Sequence, residues 1–131
     1  MAKRICLIDD NPEMVNLLGD ALAAAGYAVE KITTGDLALT ALAARLPDMV
    51  ITDLVMPSPD GLEIIRFLRT CCASVKIIAF SGVVRDGLYL LGARQLGANL
   101  VLSLPFTAHV LVDHVDRLFA LETKSGDVNP A

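Results

Sequence analysis

The sequence predicts an α/β fold on one parallel sheet: five short apolar runs alternate with longer stretches of helical period, three of those runs lack polar alternation, and capping residues open the helical stretches. The strand runs are Arg4 to Ile8, Ala28 to Ile32, Asp48 to Thr52, Val75 to Phe80 and Asn99 to Ser103. Ile5-Cys6-Leu7-Ile8, Met49-Val50-Ile51 and Ile77-Ile78-Ala79-Phe80 are apolar throughout, so those strands are expected to be covered on both faces, in the middle of the sheet. Val29-Glu30-Lys31-Ile32 holds adjacent charges, as a strand near solvent can, and is placed at an edge.

Asn11 followed by Pro12 supplies a cap and then a proline at the first helical position, ahead of an apolar stripe at Val15, Leu18, Leu22 and Ala25. Thr34 or Asp36 can open the second helix, with Leu39, Leu42, Ala43 and Leu46 on one face and Pro47 as the stop. Asp60 and Glu63 have capping-box spacing ahead of Ile64, Ile65 and Leu68. The fourth helix, about Asp86 to Leu96, reads as the least rigid, because Gly87 and Gly92 each cost about 1 kcal/mol relative to alanine. Thr107 precedes the last helix, whose buried side is Leu111, Val115, Leu118 and Phe119. Residues 1–122 are expected to form one domain, and the small, polar, aperiodic 123–131 a flexible tail or linker stub.

Composition narrows the function classes. A chain of 131 residues, 54% hydrophobic and 20% charged, can bury one core and is far from disordered composition. A net charge of -4 offers no basic footprint for direct nucleic-acid binding. No apolar run approaches the roughly 20 residues that span a bilayer, so no membrane role is expected and the chain reads as cytoplasmic. Cys6, Cys71 and Cys72 form neither a disulfide framework nor a metal-ligand spacing with His109 and His114, and are expected to be reduced and partly buried. The two histidines are five apart, off a shared helical face, and read as surface residues.

In a parallel sheet the C-terminal ends of the strands gather at one edge, where α/β proteins bind ligands. The first strand delivers Asp9 and Asp10 there, the third Asp53, and the fourth Ser81 with Gly82. Carboxylates so placed repel by roughly 4 kcal/mol per pair at about 4 Å and an effective dielectric near 20, so a divalent cation is the natural remedy. Hard oxygen ligands with sites left for water and phosphate oxygens suit Mg²⁺.

Ile8-Asp9-Asp10, the run from Asp53 through Met56-Pro57 to Gly61, and Ser81 resemble, in order, the motifs of the receiver domain of two-component signalling, and the likeness covers about Lys3 to Leu121. The resemblance implies a flavodoxin-like (βα)5 doubly wound parallel sheet, in strand order 2-1-3-4-5, forming a single domain. It implies that Asp53 accepts a phosphoryl group from a phosphohistidine. Asp10, with Asp9 in part through water, would hold Mg²⁺ together with Asp53 and the backbone carbonyl of Val55, and Ser81 would be the switch hydroxyl. The implied partners are a sensor histidine kinase or phosphotransfer protein. A second copy could pair on the face of the fourth helix, fifth strand and fifth helix, where Leu88, Tyr89, Arg94, Val101 and Asp113 are candidates.

The chain departs from the family at two places. Leu104 stands where receivers carry a lysine before the proline after the fifth strand, and Val101 where an aromatic residue is expected. Arg85, four residues past Ser81, is a candidate substitute cation for the phosphoryl oxygens. The Leu104–Pro105 bond is expected to be cis, as in the family. A competing reading keeps the fold and drops the phosphate, leaving a phosphorylation-independent interaction module. Nucleotide- or flavin-binding domains and small hydrolases are disfavoured, because no G-x-G-x-x-G follows the first strand, Gly82 to Gly87 is not followed by Lys-Ser/Thr, and no G-x-S-x-G appears.

Overall fold

The computed structural model describes residues 2–71, 74–82 and 87–127, with side chains through residue 121. Five strands and five helices alternate: β1 (Arg4–Ile8), α1 (Pro12–Ala24), β2 (Ala28–Ile32), α2 (Gly35–Ala44), β3 (Met49–Asp53), α3 (Gly61–Cys71), β4 (Lys76–Ser81), α4 (Gly87–Leu96), β5 (Leu100–Ser103) and α5 (Ala108–Asp127). The sheet is parallel throughout, in order β2-β1-β3-β4-β5. The charged run of β2 therefore lies at an edge, and the apolar runs of β1, β3 and β4 lie between neighbours, as expected.

The missing polar alternation has a direct cause in the packing. Alternate residues of one strand point to opposite faces, and each face carries its own core. Ile5, Leu7, Met49, Ile51, Ile78 and Phe80 pack under α1 and α5 with Leu18, Leu22, Leu111 and Val115. Cys6, Ile8, Val50, Ile77 and Ala79 face the other way, onto Leu42, Ile64, Ile65 and Leu68 of α2 and α3.

The caps form at the residues that can make them. Asn11 Oδ1 accepts from the backbone N–H groups of Glu13 and Met14, and Thr34 Oγ1 accepts from Leu37 N–H at 3.1 Å. Asp60 and Glu63 exchange backbone-to-carboxylate bonds in a capping box, Glu63 N–H donating to Asp60 Oδ1 at 3.0 Å and Asp60 N–H to Glu63 Oε1 at 3.4 Å.

Three expectations are corrected. The third and fourth strands run one residue further than their apolar runs, because Asp53 still pairs with Phe80 and Ser81 with Ser103. The second helix stops at Ala44, where Arg45 is already extended, so Ala43 and Leu46 are exposed and the buried face is Gly35, Ala38 and Leu42. The last helix runs as far as Asp127, with no proline between Pro105 and Pro130 to interrupt it. Residues 128–131 lie outside the described part. Of the cysteines, Cys6 is buried and Cys71 is exposed rather than partly buried; Cys72 lies outside the described residues.

At the N-terminal edge of the sheet a single guanidinium ties three segments together. Arg69 of α3 donates from Nε and Nη2 to the carbonyl of Gly97 at 3.0 and 2.8 Å, from Nη1 to the carbonyl of Val75 at 2.7 Å, and from Nη2 to Asn99 Oδ1 at 3.0 Å. Asn99 Oδ1 also accepts from Ile77 N–H at 2.7 Å, so the side chain takes over pairing where β5 has yet to begin. Gly97 must be glycine here: its φ is +121°, and an added Cβ would sit 2.8 Å from Arg69 Nε. Arg69→Met keeps the apolar stem but removes every donor, and is expected to cost about 2–4 kcal/mol, read as a lower urea midpoint at unchanged slope.

Candidate functional site

The C-terminal ends of β1 and β3 lie side by side, because Ile8 pairs with Thr52, and this register carries Asp9 and Asp10 alongside Asp53. Carboxylate oxygens of all three residues lie within 4.8 Å of one another. Asp9 is buried, Asp53 half-buried and Asp10 exposed, so the group forms a cleft that grades from protein interior to solvent. Asp9 Oδ1 accepts from Asn11 N–H at 3.0 Å, and Asp53 Oδ1 accepts from Val55 N–H at 3.2 Å.

This crowding shows in the acidities. Burial first, and then the charge of Asp9, push the Asp53 carboxyl from an ordinary 3.8 up to about 7, against the opposing bond from Val55 N–H. Burial also raises Asp9, partly offset by the Asn11 N–H. The donor set is oxygen only, anionic and partly open to water, which fits a hard divalent cation such as Mg²⁺.

Ser81 ends β4, next to β3, and is 2% exposed. Leu104 lies beside it: its N–H donates to the Ser81 carbonyl at 2.8 Å, and a methyl added to Gly82 would meet Leu104 Cδ1 at 3.1 Å. An apolar side chain, half-buried on the core under α1 and α5, thus stands where receiver domains carry a lysine. The Leu104–Pro105 bond is cis, as expected. Val55 is exposed, and Val101 packs at the margin of the core under α2 and α3. Arg85 lies outside the described residues.

A cavity of about 260 Å³ opens beside Asp10, lined by Thr33, Thr34, Gly35 and Asp36 on one side and Met56, Pro57 and Ser58 on the other. None of these was singled out as a site residue beforehand. Thr33 directly follows the end of β2 at the same sheet edge, which is the sequence signal that points to this side of the cleft.

On the proposed partner face, Leu88, Tyr89 and Leu91 of α4 are exposed, while Ala93 is the helix's buried residue. Arg94 and Asp113 are exposed, and Asp113 lies 3.6 Å from His109. His109 is exposed as expected, whereas His114 is half-buried. Among the described residues, no helix is long and apolar enough to cross a membrane.

Comparison with known proteins agrees with this geometry. The family model described as the response regulator receiver domain matches residues 5–116. The chain is 31% identical over 112 residues to the transcriptional regulatory protein BaeR of Escherichia coli O6:H1, an alignment that takes in 86% of this chain and 46% of that protein. It is 34% identical over 114 residues to the sensor protein EvgS of Escherichia coli K12, covering 87% of this chain and 9% of EvgS. The chain thus spans about half the length of the curated regulators it matches, and a small part of the sensor. In structure it superposes on a CheY-like response regulator receiver domain protein from Methanospirillum hungatei with a TM-score of 0.89 at 19% identity, over 95% of this chain and 99% of that one, a likeness of fold. With the matched motifs, the strand order and the acidic edge all in agreement, the chain belongs to the response regulator receiver domain family.

Proposed function

We propose that this chain is a phosphoacceptor signalling domain rather than an enzyme with a turnover substrate: Asp53 takes a phosphoryl group from a phosphohistidine on a sensor histidine kinase or phosphotransfer protein. The reading is carried by the meeting of Asp9, Asp10 and Asp53 within 4.8 Å, one strand away from a buried Ser81. A Mg²⁺ ion would be held by Asp10, Asp53 and the Val55 carbonyl, with Asp9 in part through water. Bound there, it supplies the positive charge that offsets the carboxylates and the phosphoryl oxygens.

The chain's own residues do the rest. Asp53 attacks as a carboxylate, and the Val55 N–H holds one of its oxygens in place. An Asp53 oxygen–phosphorus bond forms as the donor's nitrogen–phosphorus bond breaks, the imidazole nitrogen keeping the electron pair. The product, an acyl phosphate, presents acceptor oxygens to the Ser81 hydroxyl, and drawing Ser81 toward them moves the segment after β4. The output is a changed surface on α4, β5 and α5, offered to a partner or to a second copy. Arg85 is retained as the candidate cation, and an unchanged acyl-phosphate yield and lifetime in Arg85→Ala would remove it.

A second reading, a phosphorylation-independent interaction module, is favoured by one observation: Leu104 fills the lysine's place beside Ser81 with apolar surface. Intact mass before and after a small-molecule phosphodonor, with Mg²⁺ and with a chelator, separates the two. The phosphoacceptor reading expects one phosphoryl increment that needs Mg²⁺ and maps to the peptide holding Asp53. No increment at any Mg²⁺ concentration leaves the interaction module.

A further inference from the structure

We propose that Gly35, the first residue of α2, is a positioning residue for the ion site, because only a residue without a side chain lets α2 seat directly on the loop that follows Asp53. The inference rests on the Mg²⁺ reading above and adds to it a residue on a different strand-to-helix connection. Gly35 is buried, and a Cβ there would fall onto the carbonyl oxygen of Pro59 and stand 2.9 Å from both its carbonyl carbon and its Cγ. The requirement is for space, not for an unusual conformation, since among the described residues the positive-φ glycines are Gly26 and Gly97.

The loop from Leu54 to Asp60 is gripped on its other side in the same manner. A Cβ on Gly61 would collide with the carbonyl oxygen of Asp53 and lie 2.7 Å from the Cα of Leu54. Between these two contacts the loop carries Val55, whose N–H bonds Asp53 and whose carbonyl is the proposed ligand. Neither side of the Gly35 contact can yield alone. Thr34 caps α2 through Leu37 N–H at 3.1 Å, and Ser58 Oγ donates to Glu63 Oε1 at 3.0 Å, joining the loop to the capping box of α3. Asp10 and Gly35 also line one cavity with Met56, Pro57 and Ser58, so a shift of the loop off α2 changes the space next to an ion ligand.

The test is Mg²⁺ affinity, followed by amide chemical shifts in the unphosphorylated protein, for wild type, Gly35→Ala and Leu42→Ala. Leu42, on the same helix and 1% exposed, is the control for lost packing alone. Gly35→Ala is expected to weaken Mg²⁺ binding about 10-fold to 100-fold, the range seen when support behind metal ligands is removed, while Leu42→Ala loses stability and keeps its Mg²⁺ affinity. If Gly35→Ala is destabilised but binds Mg²⁺ like wild type, Gly35 is merely structural and the proposal is overturned. Should Gly35→Ala not fold, Thr34→Ala decides, because it frees the first turn of α2, which rests on the loop, and leaves Gly35 and the loop unchanged. A weakening of about 10-fold supports the positioning role, and unchanged affinity ends it. A wild type that binds no Mg²⁺ would instead remove the ion-site reading itself.

Discussion

Asp53→Asn is expected to abolish the covalent phosphoryl product and, in metal-free protein, to raise stability. The two effects have opposite sign because one side chain is both the proposed nucleophile and a half-buried charge of the acidic cleft. In the folded chain its carboxyl is pushed up to about 7 from an ordinary 3.8, chiefly by burial and then by Asp9. A carboxyl whose acidity is weakened by folding favours the folded state most while it stays protonated in both states. Its contribution is therefore complete below about pH 4 and is lost as the pH rises through about 7. With the partial opening of the cleft to water discounting the full shift, the asparagine variant should be more stable by about 1–3 kcal/mol above pH 8, and the advantage should vanish toward pH 4. Urea unfolding across that range, with a chelator present, measures it. Added Mg²⁺ should stabilise wild type more than the variant. A variant no more stable than wild type at high pH would mean that the Asp53 charge is already relieved without metal.

Leu104→Lys is expected to speed phosphorylation from a small phosphodonor by about 10-fold to 100-fold, the equivalent of one charge-assisted hydrogen bond to a phosphoryl oxygen. Leu104 already stands beside the end of β4. Leu104 N–H is bonded to the Ser81 carbonyl, and the side chain borders Gly82 at the end of β4, next to Asp53's strand. A lysine stem can cover the same apolar margin while its ammonium reaches toward the acidic cleft. The rate of appearance of the phosphorylated mass in the two proteins at saturating Mg²⁺ is the measurement. Equal rates would show that charge at this position does not limit transfer, and would point to another cation or to donor-supplied charge.

Much of the architecture could be read from residue order. Runs such as Ile5-Cys6-Leu7-Ile8 admit no exposed face, and that property alone places β1, β3 and β4 between neighbours, while the charges of Glu30 and Lys31 send β2 to the rim. Caps at Asn11, Thr34 and Asp60 are local events, decided within three residues, and they appear where the side chains allow them. Where a helix ended was less legible. Leu46 fits the apolar period of α2 but is left outside, because whether a turn continues depends on what remains to be covered beyond it.

The gathering of polar groups was local too: carboxylates at the ends of β1 and β3 and a hydroxyl at the end of β4 follow from strand ends and residue type. Spacing along the chain could not supply the close contacts between connections distant in sequence. Gly35 against Pro59, Gly61 against Asp53 and Arg69 against Gly97 are dictated by how near two backbones come, and a glycine or an arginine looks the same in sequence whether or not another segment rests on it. Residue order by itself thus determined the layers of this protein and the charges at its sheet edge, since both depend on periodicity and type. Only the tertiary structure decided how tightly the loop after Asp53 is held and what stands beside Ser81, because those are distances between segments, and distances arise when the layers close.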